Sequence, residues 1–201
     1  MDFTTEINGH CLEFFEDGHI YLCDGIEIPS ITQVLKVRFG NKYRNIPKDV
    51  LSKASEAGVA VHDAIEQYCK YGTDSSLPEL RNFVFLQKKY EFSVFGNEIP
   101  VILFDPEPIA AGRLDLLIKE NDVLGIADIK RTSNLDKNYL FYQLNLYRIA
   151  YMQSYNYPIK FLRAIWLRDD IRRYVHININ DYYPYYLLDE WRTQNESAES
   201  N

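Results

Sequence analysis

The stretch GRLDLLIKENDVLGIADIK, residues 112–130, constrains the fold more than any other part of the chain. Its two halves are rich in Leu, Ile, Val and Ala, which predicts two buried strands, with a tight turn between them near Asn121-Asp122. Each strand nevertheless carries a carboxylate, Asp115 in the first and Asp128 in the second, and Lys130 follows two residues later. Charged side chains are rarely buried unless they are paired or bind a metal. The hairpin therefore predicts a site that gathers charge inside a sheet.

Counting outward from the turn predicts that Asp115 and Asp128 lie level with each other on adjacent strands. Two carboxylates about 4 Å apart repel by roughly 4 kcal/mol at an effective dielectric constant near 20. Lys130 shares a strand face with Asp128 and could neutralise one carboxylate, whereas a divalent cation would satisfy both. Oxygen ligands of this kind suit Mg²⁺ or Mn²⁺. Taken alone, D-x-K favours the alternative of a buried Asp–Lys ion pair.

The length of 201 residues suits one domain, which we place at residues 1–195, followed by a polar, disordered tail at 196–201. No run of eighteen apolar residues occurs, and the first residues lack the basic-then-apolar pattern of a signal peptide. We therefore expect a cytoplasmic protein with no membrane association.

The three cysteines, Cys11, Cys23 and Cys69, are an odd number, which favours reduced thiols over a disulfide framework. No two of them lie within four residues of each other, so a zinc ribbon is excluded.

Hydrophobic periodicity predicts one mixed α/β layer system without internal repeats. The expected elements, in chain order, are a hairpin around Asp17-Gly18, a helix capped by Ser30, helices over 47–72 and 77–92, strands over 93–105, 109–120 and 123–130, a helix over 137–155, strands over 160–169 and 171–179, and a helix from 181.

Further polar residues occupy defined positions on these elements. His62 and Glu66 are four apart, and hence on one face of the long helix. Gln143 and Tyr147 likewise share a face of the helix that follows the D-x-K strand, and Glu98 lies in the strand before the hairpin. Each has an ordinary structural interpretation by itself: a boundary histidine, half-buried polar residues and an edge glutamate.

Taken in order, these positions resemble the RecB-like branch of the PD-(D/E)XK nuclease superfamily, in particular its small phage-type exonucleases. The matching positions span about residues 10–155 and are Gly58, His62, Glu66, Glu98, Gly112, Asp115, Asp128, Lys130, Gln143 and Tyr147. The stretch HIYLCDGIEIPSITQVL is also similar to the N-terminal hairpin and helix of such members. The resemblance implies a restriction-endonuclease-like α/β core, with a central mixed β-sheet flanked by helices and preceded by an N-terminal β-hairpin.

The resemblance also implies a metal site. Asp115 and Asp128 would bind Mg²⁺ or Mn²⁺ together with the backbone carbonyl of Ile129 and the imidazole of His62. Lys130 would position or deprotonate the attacking water and offset charge on the phosphate. Such an ion stabilises the negative charge of phosphodiester hydrolysis and lowers the pKa of a bound water.

Three further residues complete the catalytic set that the resemblance implies. Gln143 and Tyr147 would orient the site or contact the DNA backbone, and Glu98, like Glu66, would support a ligand or bind a second metal. Some RecB-like nucleases hold an iron–sulfur cluster on cysteines near the C-terminus. No cysteine follows Cys69, so we expect no cluster.

Basic residues predict the path of the DNA. The net charge of −7 gives the whole protein no attraction to nucleic acid. The segment 35–48, however, contains no acidic residue and carries Lys36, Arg38, Lys42, Arg44 and Lys48. Alone, such a segment is more often a solvated loop. With Arg131 and Lys137, and extended by arginines 168, 172 and 173, it predicts a backbone-binding path.

The expected function is that of a Mg²⁺- or Mn²⁺-dependent deoxyribonuclease, specifically an exonuclease of phage-type recombination or DNA processing in a bacterial or phage-infected cell. No G-x-x-x-x-G-K-[ST] loop occurs, so strand opening would need a partner such as a helicase or a single-strand annealing protein. The alternatives are a structure-specific endonuclease, a catalytically silent nucleic-acid-binding module with the same fold, and an unrelated α/β protein with ion-paired aspartates. The sequence leaves the oligomeric state open.

Overall fold

The computed structural model describes residues 2–40 and 46–199. Its elements, in chain order, are β1 (Phe3–Ile7), β2 (His10–Phe15), β3 (Ile20–Cys23), β4 (Ile26–Ile28), α1 (Ile31–Phe39), α2 (Lys48–Tyr71), α3 (Pro78–Tyr90), β5 (Ser93–Phe104), β6 (Pro108–Glu120), β7 (Val123–Lys130), α4 (Lys137–Tyr155), β8 (Phe161–Arg168), β9 (Ile171–Ile177) and α5 (Tyr183–Glu199). Apart from β1 and β4, which were not predicted, the order of helices and strands is as predicted.

The N-terminal part is an antiparallel sheet in the order β1-β2-β3-β4, larger than the predicted hairpin. The predicted turn at Asp17-Gly18 joins β2 to β3, and Gly18 has a φ of +81°. The additional strands follow from Asn8-Gly9 and Asp24-Gly25, because all four of these residues have positive φ, as tight hairpin turns require. Alternate residues such as Leu12 and Phe14 are buried against the main sheet.

The main sheet has five strands in the order β5-β6-β7-β8-β9. Neighbouring strands are antiparallel except β7 and β8, which are parallel and joined through α4. One buried apolar cluster joins α1, α4 and α5 to this sheet, and another joins α2 and α3 to it. The predicted α/β class, with a mixed sheet flanked by helices, is confirmed.

The helix ends follow local chemistry. Ser30 caps α1 as predicted, in a reciprocal capping box with Gln33. Gly72 ends α2 in the left-handed conformation, with a φ of +70°. At the C-terminus α5 runs to Glu199, so helix extends into the tail for which we expected no regular structure. Among the described residues, no helix combines the length and apolar character needed to cross a membrane.

Candidate metal centre and active site

Asp115 lies where strands β6 and β7 separate. Their backbone pairing ends at Leu116 and Ala127, and the next positions of the same register would place Asp115 beside Asp128, as predicted from the turn. Instead of a backbone carbonyl, Oδ2 of Asp115 accepts a hydrogen bond from the Ile129 N–H at 2.7 Å. The carboxylate thus takes over one bond of the ladder and is fixed at the opening of the sheet.

Helix α2 brings His62 to the same point. Its Nε2 lies 3.1 Å from the carbonyl oxygen of Ile129, which can only accept, so this nitrogen donates. In a neutral imidazole Nδ1 is then a bare acceptor, and it lies 3.7 Å from Oδ2 of Asp115. Two acceptor atoms at this distance are close to the separation of about 3 Å expected for neighbouring ligands on an octahedral Mg²⁺. The pair is therefore arranged to share a cation.

Glu98 completes a three-residue cluster. It faces Asp115 across the β5–β6 pair, between the paired positions Asn97–Leu116 and Ile99–Leu114. Its φ of +50° is a left-handed conformation that a glutamate rarely adopts. One donor atom each from His62, Glu98 and Asp115 lie within 4.8 Å of one another. One nitrogen and two carboxylates suit Mn²⁺ as well as Mg²⁺, so these residues fit the predicted ion.

Asp128 and Lys130 form an ion pair beside this cluster. Lys130 Nζ lies 2.7 Å from Oδ1 and 2.6 Å from Oδ2 of Asp128, and only the first contact has hydrogen-bond geometry. The Asp128 side chain is only 5% exposed and that of Lys130 is 22% exposed. Asp128 is not one of the three residues whose donor atoms converge. Its predicted role as a direct ligand therefore stays a prediction.

The site carries more negative charge than its own cations balance. Burial, assisted by Asp115, raises the pKa of Glu98 to about 7. Burial also raises the pKa of Asp128 to about 6 against the opposing effect of Lys130. For Lys130, burial lowers the pKa, but the carboxylates of Asp128 and Asp115 outweigh it and the net pKa is raised. A divalent cation would favour the ionised carboxylates and stabilise the folded site.

This imbalance predicts the pH dependence of stability in chelator. Between its ordinary pKa of 4.5 and about 7, Glu98 holds a proton in the folded protein that the unfolded chain has lost. Stability should therefore fall as pH rises through this window. Glu98→Gln should reduce the fall, and at pH 8 it should raise the melting temperature above wild type. With Mn²⁺ present the order should reverse, because a neutral amide is a poorer ligand than a carboxylate.

Thermal unfolding of wild type and variant, with chelator and with Mn²⁺, measures this effect. Glu27→Gln, at an exposed position on β4, is the matched control. An equal pH dependence in wild type and Glu98→Gln would contradict the assignment.

The cluster opens into a groove of about 860 Å³ between α2, β1 and the kinked part of β5. Gly58, one turn before His62 on α2, lines this groove, and a Cβ at Gly58 would meet no atom within 4 Å. The predicted glycine therefore leaves open space beside the site. Glu66 lines the same groove and is paired with Lys70 one turn along the helix.

A second groove of about 1000 Å³ lies next to the D-x-K strand, between the start of α2 and the loop 131–136. Its basic lining residues are Lys53, Arg131, Lys137 and Arg168. The structure thus brings together Arg131 and Lys137, as predicted. Arg131 also bonds the buried Glu79 at 2.8 Å, which fixes its guanidinium in place. Lys53 is an addition that local sequence did not indicate.

Other predicted DNA contacts lie elsewhere. Arg38 bonds Glu190 and the hydroxyl of Tyr142, and so joins α1 to α4 and α5. Lys36 is exposed in the last turn of α1 and lines neither groove. Lys42 and Arg44 lie outside the described residues.

Gln143 and Tyr147 are buried on α4. The Oε1 of Gln143 has no hydrogen-bond partner within the described part of the chain. Tyr147 packs over Gly112, where an added Cβ would lie 3.0 Å from the tyrosine hydroxyl, which explains the glycine of the predicted G-x-x-D pattern. Tyr147, Gly112 and Glu98 line a small cavity of about 120 Å³.

Arg113 is a site residue that we did not predict. Its Nε lies 3.4 Å from Oε2 of Glu98, and its guanidinium carbon lies 4.8 Å from the ring centroid of Phe14. The N-terminal sheet thus supports the cation that faces Glu98. The signal that could have identified it is an arginine between Gly112 and Asp115, inside a strand whose apolar residues predict burial.

Comparison with known proteins identifies no family: neither a family model nor a curated protein matches the chain. Among solved structures, the chain is similar to the one titled "Crystal structure of SSO0001", with 13% identity and a TM-score of 0.48 over 84% of this chain and 76% of that one. A similarity of this size says nothing about activity.

Proposed function

We propose that the protein is a metal-dependent nuclease of the RecB-like PD-(D/E)XK type that hydrolyses phosphodiester bonds in DNA. The observation that carries the proposal is the convergence of His62, Glu98 and Asp115 beside the Asp128–Lys130 pair. The three converging residues line a groove beside the point where β6 and β7 separate.

His62, Glu98 and Asp115 would hold the ion, Mg²⁺ or Mn²⁺. The Ile129 carbonyl, predicted as a further ligand, accepts the hydrogen bond from Nε2 of His62 and so lies on the opposite side of the ring from Nδ1. The bound ion supplies Lewis-acid stabilisation of the attacked phosphate and a water of lowered pKa. The chain holds its ligands in place through the backbone of β7: Asp115 accepts from the Ile129 N–H, and His62 donates to the Ile129 carbonyl.

Lys130 supplies the positive charge next to the reacting phosphate. Asp128 anchors the ammonium through the hydrogen bond to Oδ1. Because the surrounding carboxylates raise the pKa of Lys130, its protonated form is favoured, and we assign it to charge stabilisation and to orienting the water. A bound cation would oppose this rise, so proton abstraction by a neutral lysine stays the alternative role.

The DNA backbone would follow the basic groove beside Arg131, Lys137 and Lys53, whereas the groove lined by His62, Glu98 and Asp115 is mainly acidic. Its acidic lining residues are Asp2, Glu16, Asp63, Glu66, Glu98 and Asp115. A polyanion is attracted to the first groove and repelled by the second. This asymmetry supports an exonuclease, in which the strand ends near the metal. We further propose that it works in the cytoplasm with a helicase or annealing partner.

Incubation with end-labelled linear DNA and with the same DNA as a closed circle tests the proposal. We expect degradation of the linear form with Mg²⁺ or Mn²⁺, protection of the circle, and no product with chelator. Cleavage of the circle at similar rates would replace the exonuclease with an endonuclease. Binding without cleavage under all these conditions would favour the catalytically silent module and overturn the proposed activity.

A further inference from the structure

A second group of metal-ligating side chains lies in the N-terminal sheet. His10 begins β2, Cys23 ends β3, and Asp24 follows in the turn to β4. One donor atom from each residue lies within 4.8 Å of the other two. The cluster is remote in sequence from the residues of the nuclease site and does not depend on their assignment.

The backbone holds the carboxylate of this group in place. Asp24 has a φ of +52°, and its N–H donates to the carbonyl of Cys11 at 2.9 Å. In return, Oδ1 of Asp24 accepts from the Cys11 N–H at 2.8 Å. Its Oδ2 lies 2.7 Å from Nδ1 of His10. The imidazole and the carboxylate are therefore already oriented toward each other before any ligand arrives.

The group is also accessible from one side. The side chain of Asp24 is 51% exposed and that of His10 is 29% exposed, whereas Cys23 is buried at 3%. The thiol therefore forms the floor of the cluster and the other two donors form its rim. An ion entering from solvent would meet all three and retain water on its outer side.

The donor set selects the kind of ion. One thiol, one imidazole and one carboxylate are ligands of Zn²⁺, whereas Mg²⁺ and Ca²⁺ prefer oxygen alone. Bond lengths of about 2.0 to 2.3 Å place tetrahedral zinc ligands about 3.5 Å apart. Small side-chain movements would bring the donors from their present spread to that separation.

We propose that His10, Cys23 and Asp24 form a zinc site that fixes the β2–β3 end of the N-terminal sheet. The ion takes the place of the proton between His10 and Asp24, which moves to Nε2 of the neutral ring, and the thiol proton of Cys23 is released to solvent, so that thiolate, imidazole and carboxylate bind the ion with a water as fourth ligand. The His10 ring also lies 5.3 Å from the ring of Phe104 at the end of β5. The site therefore links the N-terminal sheet to the main sheet.

Cobalt substitution tests the site, because a Co²⁺–thiolate bond gives a charge-transfer absorption that oxygen and nitrogen ligands do not. The protein carries Asp115→Asn, which weakens the other candidate centre. We expect one equivalent of Co²⁺ to produce the band, Zn²⁺ to displace it, and excess Mg²⁺ to leave it unchanged. Zn²⁺ should also raise the melting temperature.

Cys23→Ser should abolish the band, and Cys69→Ser, at a half-buried thiol on α2, is the matched control that should retain it. Because Cys23 is buried, His10→Asn and Asp24→Asn at the exposed rim provide a second measurement, with an expected loss of at least roughly tenfold in Zn²⁺ affinity. A missing band in the Asp115→Asn protein, or a band that survives Cys23→Ser, would overturn the site.

Discussion

Asp115→Asn should abolish Mn²⁺ binding at the groove and DNA cleavage together, while the fold is retained. The amide oxygen of asparagine can still accept the hydrogen bond that Oδ2 receives from the Ile129 N–H at 2.7 Å. The opening between β6 and β7 therefore keeps its geometry, and only the negative charge is lost. Since that charge faces His62 and Glu98, its removal takes away the central ligand.

The expected loss exceeds the effect of an indirect partner, for which metal affinity or activity typically falls about 10- to 100-fold. Isothermal titration with Mn²⁺ and cleavage of end-labelled DNA measure the two consequences, and far-ultraviolet circular dichroism checks the fold. Asp63→Asn is the matched control, because Asp63 follows His62 in the sequence and lines the same groove but does not belong to the cluster. Asp63→Asn should retain both properties, and an Asp115→Asn protein that cuts normally would refute the site.

Local chemistry in the sequence predicts much of this fold. The capping residue Ser30 begins α1, Gly72 ends α2, and Asn121-Asp122 forms the turn between β6 and β7. The same rule could have predicted the larger N-terminal sheet, because Asn8-Gly9 and Asp24-Gly25 are hairpin signals as strong as the one at Asp17-Gly18. Such features are predictable because each depends on neighbouring residues alone.

The candidate site was predictable only in part, because part of it depends on distant contacts. Counting from the turn placed Asp115 beside Asp128. The left-handed backbone of Glu98, by contrast, has no local sign in the sequence, since glutamate gives no preference for that conformation. The pairing of Arg38 with Glu190, 152 residues away, likewise cannot be predicted from the pattern of charges along the sequence. Charge patterns locate basic residues along the chain but do not say which acids neutralise them.

Lys130→Met should lower both stability and cleavage, and the two losses should be separable. The substitution leaves the Asp128 carboxylate, only 5% exposed, without its ammonium partner. Removal of one member of a buried ion pair typically costs about 3 to 5 kcal/mol, and we expect the lower end because the lysine side chain is 22% exposed. Urea unfolding in the presence of chelator measures this cost.

Adding Asp128→Asn to Lys130→Met should restore much of the stability, because no charge then remains unpaired. The penalty of Lys130→Met alone should be smaller at pH 5 than at pH 8. Even with its lysine partner, Asp128 has a folded-state pKa of about 6. Below that pH the carboxyl takes up a proton and then needs no counter-charge. Exposed Lys53→Met, which removes a lysine from the neighbouring groove, is the control and should leave stability nearly unchanged.

Cleavage should not follow this recovery. If the pair were only a structural element of the core, the double variant would regain activity along with stability. If the Asp128–Lys130 pair takes part in catalysis, Lys130→Met and the double variant should both stay inactive although only the first is strongly destabilised. The comparison therefore distinguishes a catalytic pair from the purely structural ion pair that D-x-K alone would suggest, since only a catalytic role makes activity independent of the restored fold.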